Sequence, residues 1–280
     1  MTEAHLWLID AFTDHPFAGN PAAVCILDRP EWPSEAWMRM LAAELRLSET
    51  AFAHALGSTA EGDWALRWFT PVVEDDLCGH ATLAAAHALK SHGLAVTPVR
   101  FLTRSGILNA HIGSDATVTL DFPAMPFEQR SAPEGLCLAL GVQPDAVFST
   151  GPLRDLLALL PDEETVRALT PDLETLAQLT RRHQIRGLTV TAIADRGREY
   201  DFVSRFFSPA DGIPEDPVTG SAHTVLAPFW SERLGRNQLV GLQASARTGV
   251  VRTETHAGRV YLSGKAVTIF DGRLVTEPDW

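Results

Sequence analysis

The chain has 280 residues, a formal net charge of -12 and a globular composition, 45% hydrophobic and 21% charged. That length allows two ordinary domains, each able to bury a core without disulfides or metal. So acidic a chain lacks the clustered Lys and Arg that displace counterions from a polyanion, which excludes nucleic acid as a partner. Its cysteines, Cys25, Cys78 and Cys137, have no paired spacing, which fits a reducing cytoplasm better than a secreted disulfide framework. The opening Thr2-Glu3-Ala4-His5 lacks the basic start and apolar core of a signal peptide. No stretch reaches ~18 consecutive apolar residues, so no membrane partner is expected.

In chain order, residues 6–9 and 23–27 read as strands around the turn Phe17-Ala18-Gly19-Asn20-Pro21. Pro33 and Ser34 can open a helix with Trp37, Met40, Leu41 and Leu45 on one face. It stops at the polar knot Leu47-Ser48-Glu49-Thr50, followed by strands at 50–55 and 64–69 and a loop over 71–77. The segment 79–93 opens on Gly79-His80, is apolar around nearly its whole circumference, and ends at a glycine, so it reads as a buried helix. Strands follow at 99–103, 107–112 and 116–121.

The stretch from Asp121 to Gln129, with Pro123 and Pro126, breaks the strand pattern and places a domain boundary there, giving domains 1–124 and 125–280. Beyond it the pattern predicts a short helix from Pro133, strands at 146–150 and 153–160, and a helix opened by Thr170-Pro171. Strands at 188–194 and 200–207 flank a turn, and a second apolar helix over 220–235 carries Pro228, which should kink it. Four strands at 239–244, 248–254, 259–263 and 265–270 close the chain.

Internal likeness organises this order. Arg67-Trp68-Phe69-Thr70-Pro71 before the first buried helix matches Arg205-Phe206-Phe207-Ser208-Pro209 before the second, and Cys78-Gly79-His80 matches Thr219-Gly220-Ser221. The expected architecture is therefore α+β: two similar halves, each a curled sheet or barrel around one helix.

A helix start offers unpaired backbone N–H groups and partial positive charge, which attract a carboxylate or phosphate without Lys or Arg. Gly79 and Gly220 would let a ligand approach the backbone, and two halves facing each other would aim both starts into one interdomain cleft. His80 can exchange protons near neutral pH, Ser221 can donate a hydrogen bond and Asp216 can accept one. Capping alone accounts for Ser221; the pairing of the two helix starts is what marks the set. No H-E-x-x-H, P-loop or dinucleotide fingerprint occurs, so neither metal nor cofactor is expected.

Asn20-Pro21, Ser48-Glu49-Thr50-Ala51-Phe52, Arg67-Trp68-Phe69-Thr70-Pro71, Cys78-Gly79-His80-Ala81-Thr82 and Glu215-Asp216-Pro217-Val218-Thr219-Gly220-Ser221-Ala222-His223 together resemble the motif set of the PhzF-like phenazine-biosynthesis family. The resemblance spans the chain and implies a diaminopimelate-epimerase-like fold and a homodimer. It also implies a cofactor-independent isomerase moving a proton on a small carboxylate substrate, cyclic or amino-acid-derived.

By that resemblance Glu49 is the acid/base. His80 and Asp216 assist proton traffic, and Asn20, Gly79, Gly220 and Ser221 bind substrate. Two alternatives remain: an amino-acid epimerase or racemase, or a carboxylate-binding relative without turnover. Epimerases with two thiols are disfavoured because Thr219 stands where Cys78 stands in the first half. The sequence departs from the family at Arg247-Thr248-Gly249, where an Arg-Gly-Gly turn is usual.

Overall fold

The computed structural model describes residues 4–57 and 61–280, so Thr2-Glu3, read above for a targeting signal, lies outside the described residues. In chain order the elements begin β1 (Ala4–Ala11), β2 (Asn20–Leu27), α1 (Glu35–Leu45), β3 (Thr50–Ala55), β4 (Trp64–Phe69), β5 (Glu74–Asp75) and α2 (Gly79–Ser91). Next come β6 (Val99–Thr103), β7 (Gly106–Ile112), β8 (Val118–Pro123), β9 (Glu128–Arg130), α3 (Leu136–Leu140), β10 (Ala146–Ser149) and β11 (Leu156–Leu159). The chain continues with α4 (Glu163–Ala168), α5 (Leu173–His183), β12 (Leu188–Ile193), β13 (Phe202–Ser208), β14 (Ile213–Asp216) and α6 (Gly220–Leu234). It finishes with β15 (Gln238–Gln243), β16 (Gly249–His256), β17 (Arg259–Gly264) and β18 (Ala266–Arg273).

The chain divides into two compact units, Met1–Asp121 with Ser263–Trp280, and Phe122–Leu262. The division near residue 121 falls close to the proline-broken segment, but the final residues do not stay with the second half as the sequence boundary had them. β18 pairs antiparallel with β1, from His5 opposite Arg273 to Ala11 opposite Ala266. These backbone hydrogen bonds return the C-terminal segment to the first unit.

Each unit wraps a sheet on one buried helix. In the first, β1–β2 are antiparallel, β2–β3 parallel, β3–β4 antiparallel, β4–β6 parallel and β6–β7 antiparallel. In the second, β10–β11, β11–β12, β12–β13, β13–β15 and β15–β16 repeat that alternation. Registers coincide as well: Thr50 faces Phe69 as Leu188 faces Phe207. A single residue correspondence therefore runs through both halves, with Thr50 matching Leu188 and Arg67 matching Arg205.

That correspondence reaches the side chains. Arg67 clamps Glu74 of β5 with Nε and Nη2, both at 2.7 Å, and its guanidinium lies 5.1 Å from the Phe69 ring centroid. Arg205 clamps Glu215 of β14 at 2.7 and 2.9 Å and lies 5.0 Å from the Phe207 ring. Bidentate pairs of this kind add geometric specificity to their energy. They fix the short strand that leads into each central helix.

The central helices are buried because their sequences leave no polar face. From Gly79 to Leu89 every α2 side chain except His87 is buried, and α2 touches β1, β2, β3, β7 and β18. In α6, Pro228 cannot donate to the Thr224 carbonyl, but the helix continues to Leu234; the Met125 N–H donates to that carbonyl instead, at 3.1 Å. An outer segment thus satisfies the acceptor that proline leaves open.

Several expectations shift. The buried face of α1 is Trp37, Met38 and Ala42, with Leu41 and Leu45 half-buried, whereas Met40 is 63% exposed. At 100° per residue Met40 falls outside the arc those five define. The loop over 71–77 contains β5. The helix expected from Thr170 starts two residues later, because the Asp172 side chain, not Thr170, accepts from the N–H groups of Glu174 and Thr175.

Candidate functional site

Within the first unit, β2 and β3 run parallel from Asn20 and Thr50, so their starts lie at the same end of the sheet. Ser48 and Glu49 immediately precede β3. His80 occupies the first turn of α2. The structure brings these together: Ser48 Oγ is 3.4 Å from both Asn20 Oδ1 and His80 Nε2, and Glu49 Oε2 is 3.3 Å from that same nitrogen. Asn20, Glu49 and His80 are all buried. Cys78 Sγ sits 3.5 Å from the other ring nitrogen, Nδ1.

Burial pushes the His80 imidazole down to about 3, so the ring is neutral at physiological pH. A neutral ring has one donor and one acceptor nitrogen. The contacts fit Nε2–H on the Ser48 and Glu49 side, with Nδ1 accepting from the Cys78 thiol. Glu49, Cys78 and His80 have ligand atoms within 4.8 Å of one another. Two of them approach opposite nitrogens of one ring, Glu49 beside Nε2 and Cys78 beside Nδ1.

In the second unit Asp216 ends β14 and is buried. Its Oδ2 accepts from Thr219 Oγ1 at 2.5 Å, while Gln243 holds the same turn: Nε2 donates to the Asp216 carbonyl at 2.8 Å and Oε1 accepts from the Thr219 N–H at 2.8 Å. Ser221, in the first turn of α6, accepts from Arg186 Nη2 at 3.0 Å, and Arg186 also clamps Asp155 through Nε and Nη2. Gly79 and Gly220 open α2 and α6. Neither N-cap, Cys78 or Thr219, makes a side-chain capping bond, unlike the caps of α1, α4 and α5.

Sequence reading missed Gln243, Arg186 and Asp155. Arg186 lies two residues before Leu188, as Ser48 lies two before Thr50, so the repeat was the one signal that could have pointed to it. Thr248 occupies the left-handed region at φ 53, a conformation that glycine adopts without strain.

The family model for phenazine biosynthesis-like proteins, PhzC-PhzF, matches residues 9–272. The chain belongs to the PhzF family. An uncharacterized isomerase of Pseudomonas aeruginosa is 45% identical over 273 residues, covering 97% of this chain and 99% of that protein. A PhzF-family phenazine biosynthesis protein of Enterococcus faecalis superposes with a TM-score of 0.88 at 39% identity, over 99% of this chain and 100% of that one. A probable proline racemase of Agrobacterium radiobacter shares the fold, with a TM-score of 0.65 at 14% identity over 98% and 94% of the two chains. This PhzF-family chain is thus α+β, with the pseudo-symmetric halves that its repeated sequence implied.

Proposed function

We propose that this PhzF-family protein is a cofactor-independent isomerase that moves a proton on a small carboxylate-bearing substrate, ring-bearing or amino-acid-derived, with Glu49 as the acid/base. One observation carries the reading: at the repeat position of Glu49 the second half has Gly187, which offers no side chain. Moving a proton between two atoms on one face needs a single group that collects it and returns it, whereas inversion of a stereocentre needs a base on each face. His80 holds the carboxylate beside its Nε2 and stays neutral, so the charge that changes during turnover is that of Glu49.

Asp216 assists from the Thr219–Gln243 turn. Asn20, Ser221 and the uncapped starts at Gly79 and Gly220 supply hydrogen bonds to substrate. No helix among the described residues is long and apolar enough to cross a membrane. The unpaired cysteine spacing supports a cytoplasmic enzyme, and the family likeness supports a homodimer.

Solvent-deuterium wash-in tests the assignment. With a turned-over substrate, Glu49→Gln is expected to lose exchange by ~10²–10⁴-fold, the usual contribution of a positioned general base. Persistent exchange in that variant would transfer the role to a second base such as Asp216 or His80 and favour an epimerase. Substrate binding without any exchange in the wild type would make the protein a binder.

A further inference from the structure

We infer that Arg186 is a positioning residue: it fixes the Ser221 hydroxyl so that its proton points to an anionic oxygen of the substrate. The inference rests on the reading above that Ser221 contacts substrate. A guanidinium has donors only, so at the 3.0 Å contact Ser221 Oγ must be the acceptor. The Ser221 hydroxyl proton must then go elsewhere, and among the described residues no acceptor receives it. The carbonyl one helical turn back, that of Pro217, accepts from Ser245 Oγ at 2.9 Å.

Arg186 is itself held at several points. Its carbonyl accepts from Ser208 Oγ at 2.7 Å, its N–H donates to the Arg154 carbonyl at 2.8 Å, and its guanidinium lies 5.4 Å from the Phe206 ring centroid. Asp155, with a side chain only 1% exposed, takes Nε at 2.9 Å and Nη2 at 2.5 Å. A long side chain pinned at this many points has little rotameric freedom left, so its donor edge toward Ser221 is a fixed direction.

The repeat supports the same assignment. Ser48 in the first half touches His80 as Arg186 in the second touches Ser221, each from two residues before the matching strand to the second residue of the central helix. One contact is built twice with its chemistry changed. The first half places a neutral imidazole beside a carboxylate, and the second places a cation behind a hydroxyl. The first suits proton transfer, and the second suits holding negative charge still.

A double-mutant cycle tests this, with anthranilate as the anionic probe and anthranilamide as its neutral match, each titrated by calorimetry. Wild type should prefer anthranilate by at least about tenfold. Ser221→Ala and Arg186→Lys should each lose most of that preference, and the double variant should lose no more than Ser221→Ala alone, because Arg186 acts through Ser221. If Arg186→Lys folds poorly, Arg186→Met with Asp155→Leu removes both charges and should behave as Ser221→Ala does. Additive losses, or a wild type that does not prefer the carboxylate, overturn the proposal. Glu49→Gln should keep the preference while losing deuterium exchange, so failure here and failure of the acid/base assignment are read separately.

Discussion

Gly187 stands where Glu49 would repeat, and a Cβ built on Gly187 would come within 2.4 Å of Phe206 Cζ. The space that the first half gives to a carboxylate is filled in the second by an aromatic ring, so the halves diverged in chemistry while keeping their backbone. Gly187→Ala is expected to destabilise by ~1–3 kcal/mol, the usual cost of overpacking a tight core. Urea denaturation measures it; an unchanged midpoint would show that the Phe206 ring moves aside freely.

Cys78 Sγ lies 3.5 Å from His80 Nδ1. If the thiol proton sets the imidazole tautomer, Cys78→Ala should slow exchange by about tenfold and Cys78→Ser should restore most of it, since a hydroxyl donates in the same direction. Equal rates in both variants, measured by deuterium wash-in, would reduce Cys78 to packing.

Acid should unfold the protein through its buried histidines. Burial pushes His80 down to about 3 and His223 to about 4, well below an unfolded imidazole. Between about pH 6.5 and pH 4 the unfolded chain binds protons that the folded chain refuses, so stability is full above that window and falls as pH drops through it. Each histidine contributes up to about 1.4 kcal/mol per pH unit there. His223→Leu should make the slope of Tm against pH shallower, with His80, His54 and His87, all pushed down by burial, sustaining part of what remains, and an unaltered slope would mean that His223 protonates in the folded state.

Thr248 is β-branched and sits at φ 53, where its side chain crowds the backbone. Thr248→Gly should raise stability by ~1 kcal/mol, less the added freedom of the unfolded chain. A lower melting temperature would show that the Thr248 side chain makes contacts worth more than the strain.

Much of this was legible because the signals were local. Strands at 50–55, 64–69 and 99–103 were bounded by turns and matched β3, β4 and β6. The apolar residues from Ala81 to Leu89 cover nearly the whole circumference of a helix, which marked it as buried. What escaped was non-local or short. Nothing near Arg186 in sequence announces Asp155, 31 positions earlier, and β18 joins β1 from the far end of the chain. Helix α4 is six residues long, too brief for periodicity, although Asp162 at its cap followed by Glu163 and Glu164 was a readable start. Met40, three residues after Trp37, fits one helical face as well as Met38 and Ala42 fit another, and only packing decides which side of Trp37 is buried.

The return of β18 to β1 orders synthesis. On a ribosome the second unit has its whole chain once residue 262 emerges, whereas the first cannot close until residues 263–280 follow. The half bearing Glu49 is made first and finished last, with the edge of β1 open to chaperones in the interval. A translation stop just after residue 262 would cost the half bearing Glu49 its last strand while leaving the other half's sequence entire.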